Sequence, residues 1–128
     1  MALKLDHVVI LSRDPQASSA FYGTLLPLLG FVQKRERIWT DGAGLFLQVL
    51  PAADGTRPYE RRGPGVNHLG FSAPDAAFVE QVRTSMIAAG FSVQPIQDLG
   101  GARALFLPDP DGLRVEVTWY PPGHAVVD

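Results

Sequence analysis

Cysteine is absent from the 128-residue chain, which excludes a disulfide framework and any thiolate-bound metal. No apolar run approaches the roughly 20 residues a membrane-spanning helix needs, so no membrane partner is expected. The opening Met-Ala-Leu-Lys-Leu-Asp lacks the long apolar core of a signal peptide, and a cytoplasmic location is the default expectation. Charge of one sign is also missing. Eleven basic and 13 acidic residues leave a net charge of −2 and a pI near 5.8, with no electrostatic footprint for nucleic acid. What is present is apolar material: 46% of the residues are hydrophobic, enough for one core, and a single domain over residues 1–128 is expected.

The chain repeats itself. His68 follows His7 by 61 residues, Gly90-Phe91 follows Gly30-Phe31 by 60, and both Gly112 after Gly44 and Glu116 after Gln48 come at 68. Offsets that stay close and then grow describe two copies, the second with a longer hairpin. The copies span about 3–50 and 66–120. Between them, residues 51–65 are rich in proline, glycine and charge, the composition of a linker with no helix or strand of its own.

Within each copy the grammar is strand, helix, then further strands. Residues 4–11 are dense in Val, Ile and Leu; Asp14 is placed to cap a helix and Pro15 to occupy its first turn. Ala17, Phe21, Leu25 and Leu28 recur at helical spacing, and Pro27 with Gly30 ends the segment. In the second copy Asp75 is the cap, Phe78, Val82, Met86 and Ala89 form the stripe, and Gly90 is the stop. Turn chemistry at Asp41-Gly42-Ala43-Gly44, Gly100-Gly101 and Pro108-Asp109-Pro110-Asp111-Gly112 separates the remaining strands. In the last strand, period-two alternation turns Leu113, Val115, Val117 and Trp119 one way and Arg114, Glu116, Thr118 and Tyr120 the other. Leu45, Leu47 and Val49 oppose Phe46, Gln48 and Leu50 in the same manner. The tail after Pro121-Pro122-Gly123 is expected to be loosely held.

If the two equivalent sheets face each other, His7, Gln48, His68 and Glu116 converge across a cup, one pair from each βαβββ unit. Two imidazoles and one carboxylate suit a divalent Fe, Mn, Ni, Co or Zn centre with open positions. A neutral Gln48 would leave the ion a formal charge of +1, which favours an anionic or enolisable substrate oxygen and Lewis-acid chemistry. Arg114, two residues before Glu116 and about 7 Å away along the strand, shares its face. It is a candidate for a substrate carboxylate, with Tyr120 and Phe46 as further substrate candidates. Arg57, Arg61 and Arg62 make a basic spot in the linker whose simplest role is solvation.

These residues resemble the vicinal oxygen chelate family, which includes glyoxalase I, extradiol dioxygenases, fosfomycin-resistance thiol transferases and bleomycin-resistance proteins. The resemblance runs from Leu5-Asp6-His7-Val8-Val9 through Ala20-Phe21-Tyr22 and Leu29-Gly30-Phe31. It is most specific in Phe106-Leu107-Pro108-Asp109-Pro110-Asp111-Gly112-Leu113-Arg114-Val115-Glu116. It implies an α+β fold of two paired βαβββ modules in a cup-shaped mixed sheet with helices outside. It also implies one divalent metal held by His7, His68 and Glu116, joined by Gln48 in glyoxalase-like members, and a homodimer whose sites often lie between chains.

Within the family, the Gln48 and Glu116 pair is similar to that of glyoxalase I, in which the metal-bound Glu is the base. The expectation is therefore a metal-dependent lyase or isomerase acting on a small substrate chelated through vicinal oxygens, with Glu116 catalytic. The chain departs at Leu11 and Ala52, where bacterial glyoxalase I tends to carry the Arg and Asn that hold the glycine carboxylate of glutathione. An extradiol Fe(II) dioxygenase is the second expectation. It would need a further His and Tyr, and the chain offers only His124, expected to be exposed in the tail, and Tyr120. A metal-free drug-binding protein is the third, kept open by Trp39, Phe46, Phe106 and Tyr120, each of which reads more simply as core.

Overall fold

The computed structural model describes residues 1–126, so the last two positions of the expected 1–128 domain lie outside it. The fold is α+β, and the chain divides into two compact units, Met1–Tyr59 and a second beginning at Glu60. No described helix is long and apolar enough to cross a membrane.

The first unit runs β1 (His7–Ser12), α1 (Pro15–Leu28), β2 (Val32–Arg35), β3 (Ile38–Thr40) and β4 (Phe46–Pro51). Its sheet has the order β1-β4-β3-β2, parallel between β1 and β4 and antiparallel elsewhere. A parallel pair cannot be joined by a tight turn and needs a crossover, which α1 begins. Asp14 caps α1 by accepting from the Ala17 amide at 3.2 Å, and Pro15 occupies its first turn. The helix continues through Pro27 for one residue and is capped at Leu29, and the chain turns away at Gly30, whose φ of 91° a side chain would resist.

The buried face of α1 is wider than the expected stripe. Ser18, Phe21, Tyr22, Leu25 and Leu26 are buried, whereas Ala17 and Leu28 are half-buried. A helix lying on a sheet must cover it with two adjacent rows of side chains, and a single i, i+4 row is too narrow. Against these rows stand Ile10, Trp39, Leu47 and Val49, all buried. Trp39 is thus core, as its sequence context suggested.

The second unit repeats the plan: β5 (His68–Ser72), α2 (Ala76–Ala88), β6 (Gln97–Leu99), β7 (Ala102–Pro108) and β8 (Arg114–Trp119), in the order β5-β8-β7-β6. Asp75 caps α2 through the Phe78 amide at 2.8 Å, and Val79, Val82 and Met86 form its buried face. Phe78 is only half-buried and Ala89 is exposed, so this stripe too is displaced from the expected one.

The duplication extends to conformation. Gly30 and Gly90 carry φ of 91° and 95°, and Gly44 and Gly112 carry 112° and 98°. Asp41 Oδ1 accepts from the Ala43 and Leu45 amides; Asp109 Oδ1 accepts likewise from Asp111 and Leu113. The same turn closes the β3–β4 and β7–β8 hairpins, and it fixes the register of the strands that carry Gln48 and Glu116.

Candidate metal centre

Strand alternation sorts each sheet into a helix-covered face and an open one. In the first unit His7, Val9, Phe46, Gln48 and Ile38 take the open face, since Val9 pairs with Gln48 and Gln48 with Ile38. In the second, His68, Gly70, Phe106, Arg114 and Glu116 do so, with Gly70 and Phe106 both directly opposite Glu116.

Both candidate histidines are oriented by the residue immediately before them. His7 Nδ1 lies 2.6 Å from Asp6 Oδ2, and His68 Nδ1 lies 2.7 Å from Asn67 Oδ1. An ionised carboxylate only accepts, so the proton of that bond sits on His7 Nδ1. Asn67 donates its amide to the Arg61 carbonyl at 2.7 Å, which turns its oxygen toward His68 and sets the same tautomer. With the ring neutral, Nε2 is the nitrogen that carries the lone pair. A metal-binding histidine is commonly held in this way, with its other nitrogen donating to an outer carboxylate or carbonyl. The sequence carries the signal, a short polar residue before each His, but Asp6 enters there only as part of a motif and Asn67 is not singled out.

In the second unit His68 Nε2 stands 3.5 Å from Glu116 Oε1. Two ligands about 2.1 Å from one ion, at tetrahedral angles, lie about 3.4 Å apart, so the pair is spaced to share a cation. Thr118 donates its hydroxyl to Glu116 Oε2 at 2.6 Å, which fixes the carboxylate and leaves Oε1 toward the histidine. The Glu116 side chain is 13% exposed. Across from it Gly70 leaves open space, with no heavy atom within 4 Å of where a Cβ would stand. Phe106 stacks edge-on toward His68, with ring centroids 6.5 Å apart, and the Arg114 guanidinium lies 4.7 Å above the Phe106 ring. Arg114 is therefore packed on the site's aromatic wall, beside Glu116.

In the first unit His7 and Gln48 line one cavity of about 510 Å³ together with Asp6, Lys34, Arg35, Ile38 and Phe46. Lys34 and Arg35 were not among the residues singled out from sequence. Among the described residues no group of three or more His, Cys, Asp or Glu side chains stands together as a cation cage. The expected donors are distributed as one pair in each unit.

The remaining candidates lie elsewhere. Tyr120 falls beyond the end of β8, its ring 5.8 Å from that of His124. His124 is half-buried: Nε2 is 3.0 Å from the Leu99 carbonyl and Nδ1 2.6 Å from that of Ala125. The expectation of an exposed histidine in a loose tail gives way to one whose two ring nitrogens both face carbonyl oxygens, tying the tail to β6. Of the linker arginines, Arg57 uses its carbonyl, which together with that of Thr56 accepts from Arg13 at 3.1 and 2.8 Å. Arg61 uses its carbonyl to hold Asn67.

Comparison with known proteins gives a consistent result. The family described as the Glyoxalase/Bleomycin resistance protein/Dioxygenase superfamily matches residues 4–117. The chain is 29% identical over 125 residues to the uncharacterized protein YqjT of Bacillus subtilis (strain 168), covering 88% of this chain and 96% of that one. A crystal structure of a candidate glyoxalase from Bacillus halodurans superposes with a TM-score of 0.78 at 25% identity, over 91% of this chain and 95% of that one. Lactoylglutathione lyase from Agrobacterium tumefaciens superposes with a TM-score of 0.66 at 22% identity, over 93% and 95%.

Proposed function

The chain belongs to the Glyoxalase/Bleomycin resistance protein/Dioxygenase superfamily, and from that premise we propose that it is a metal-dependent enzyme of lyase or isomerase type. Its substrate is small and offers two adjacent oxygens. The observation that carries this reading is the paired orientation of His7 and His68, each engaged at Nδ1 by its preceding residue, with Glu116 Oε1 at 3.5 Å from Nε2 of the second. A histidine ligand commonly donates its other ring nitrogen to such an outer partner, and both candidates have one at equivalent positions of the repeat.

His7, Gln48, His68 and Glu116 would hold the divalent ion, within one chain or across a homodimer. When bound, the ion supplies Lewis-acid polarisation of the substrate oxygens. The residues of the chain do the rest. Thr118 anchors Glu116 through Oε2, and the same carboxylate, a ligand of the ion at Oε1, would also be the group that moves a proton. It takes the proton from the hydroxyl-bearing carbon beside a substrate carbonyl and returns it to the carbonyl carbon, while the hydroxyl proton passes to the former carbonyl oxygen, so that no atom is gained or lost. Gly70 leaves room above that carboxylate, and Phe106, held under Arg114, helps shield it from water.

The test is solvent deuterium incorporation into hemithioacetals of methylglyoxal with several thiols, including glutathione, by metal-reconstituted protein and by E116Q. Exchange by the wild type and none by E116Q is the expected result. Oxygen uptake with catechol on Fe(II) protein, without exchange, would replace this reading by the dioxygenase one.

A further inference from the structure

We propose that Lys34 and Arg35 read an anionic group of the substrate, so that the enzyme acts on a small organic acid whose carboxylate docks on β2. The proposal rests on the reading above only in taking His7 and Gln48 as the reacting end of the same cavity.

Three observations carry it. The first is a break in the β2 register. Val32 pairs with Thr40 and Gln33 with Trp39, but Arg35 pairs with Ile38, a shift between Gln33 and Arg35. With period-two alternation Arg35 would share the helix-side face of Gln33, opposite the buried Trp39. The bulge instead turns it to the face of Ile38 and Gln48, alongside Lys34, and both line the 510 Å³ cavity. A lysine and a bulge also discourage strand pairing at a sheet edge. That role has no need of an arginine turned toward Gln48.

The second observation is charge. Lys34 and Arg35 are exposed, and neither makes an ion pair with another described residue. The one acid on the cavity wall, Asp6, is 2.6 Å from His7 Nδ1 and serves the imidazole. Lys34 and Arg35 outnumber Asp6 on this wall, which keeps a net positive charge in a chain of net charge −2 and so favours an oxyanion.

The third is the order of the lining. Arg35, Ile38 and Gln48 lie in one row across β2, β3 and β4, so Arg35 and Gln48 are two strand spacings, about 10 Å, apart. Ile38 lies between them, with Phe46 on the same wall. A ligand that satisfies this order has an anionic end, an apolar middle and a polar end at His7 and Gln48.

Because the natural substrate is unidentified, the probes are 3-phenylpropionate and its uncharged amide, titrated calorimetrically into EDTA-treated protein at low and high salt. The acid is expected to bind the wild type about tenfold more tightly than the amide, and to weaken with salt, since each exposed cation contributes up to about fivefold. K34Q/R35Q loses that preference; R35K, which keeps the charge, stays within about threefold of wild type. Equal affinity for acid and amide in the wild type, or an undiminished preference in K34Q/R35Q, overturns the proposal. Elemental analysis of metal-reconstituted samples separates the two readings. Acid preference with no metal uptake overturns the metal reading alone, and metal uptake without acid preference overturns this one alone.

Discussion

Replacing Asp109 by alanine removes the clamp that sets the register of β8 and so the position of Glu116. Asp109 Oδ1 accepts from the Asp111 and Leu113 amides at 2.9 and 3.0 Å, and its own amide donates to the Leu113 carbonyl at 2.8 Å. Asp109 is 5% and Leu113 8% exposed, so water has little access to the amide left behind. A hydrogen bond to a charged group contributes about 1.5–3 kcal/mol, and a buried donor left unpaired costs about 1–3 kcal/mol. Two donors on one oxygen give an expected loss of about 3–5 kcal/mol for D109A. At about 3–5 °C per kcal/mol for a chain of this size, the unfolding midpoint falls by about 10–20 °C. The first copy supplies the control. Asp41 Oδ1 makes the same two bonds at 2.8 and 3.0 Å, but Asp41 is exposed, so D41A is expected to cost about 1 kcal/mol. D109N keeps the oxygen without the charge and falls between wild type and D109A. Scanning calorimetry of the four proteins measures this, and equal shifts for D41A and D109A would refute the argument from burial.

Other expectations follow from the same geometry. T118V removes the 2.6 Å hydrogen bond to Glu116 Oε2 with little change in volume; metal affinity, measured by competition with a chelator, falls about 10- to 100-fold while the fold is retained. Ser12 and Ser18 share a fully buried 2.6 Å hydrogen bond, and the residues 61 positions on are Ala73 and Val79, an apolar pair. Either S12A or S18V alone therefore costs about 1–3 kcal/mol in urea denaturation, and S12A/S18V costs clearly less than the sum. An additive double variant would contradict the pairing.

Much of this was legible in the sequence because it is local. The caps at Asp14 and Asp75, the glycines at 30 and 90 and the alternation of β8 each follow from a single residue's stereochemistry, and the repeat offset ties them into two units. The width of the α1 face was not legible, since Tyr22 and Leu26 are buried by a second row that depends on the sheet beneath. The βαβββ expectation includes the β2–β3 hairpin, but its turn was not located for a specific reason: it holds no glycine. Arg37 itself takes φ of 61°, and a bulge then shifts the register, so neither the turn nor the face of Arg35 can be read from alternation. Hence the first unit carries two cations on one cavity wall that alternation alone does not place there. Asp6 and Asn67 were visible but mute, because their role depends on which ring nitrogen they face.

The central claim is that His7 and His68, 61 residues apart, serve one ion. Metal stoichiometry of anaerobically purified protein, by elemental analysis on wild type, H7A and H68A, tests it most directly. The account predicts one divalent ion per chain in the wild type and loss of most of it in each single variant. Full metal content in H7A, or none in the wild type after reconstitution, would contradict it.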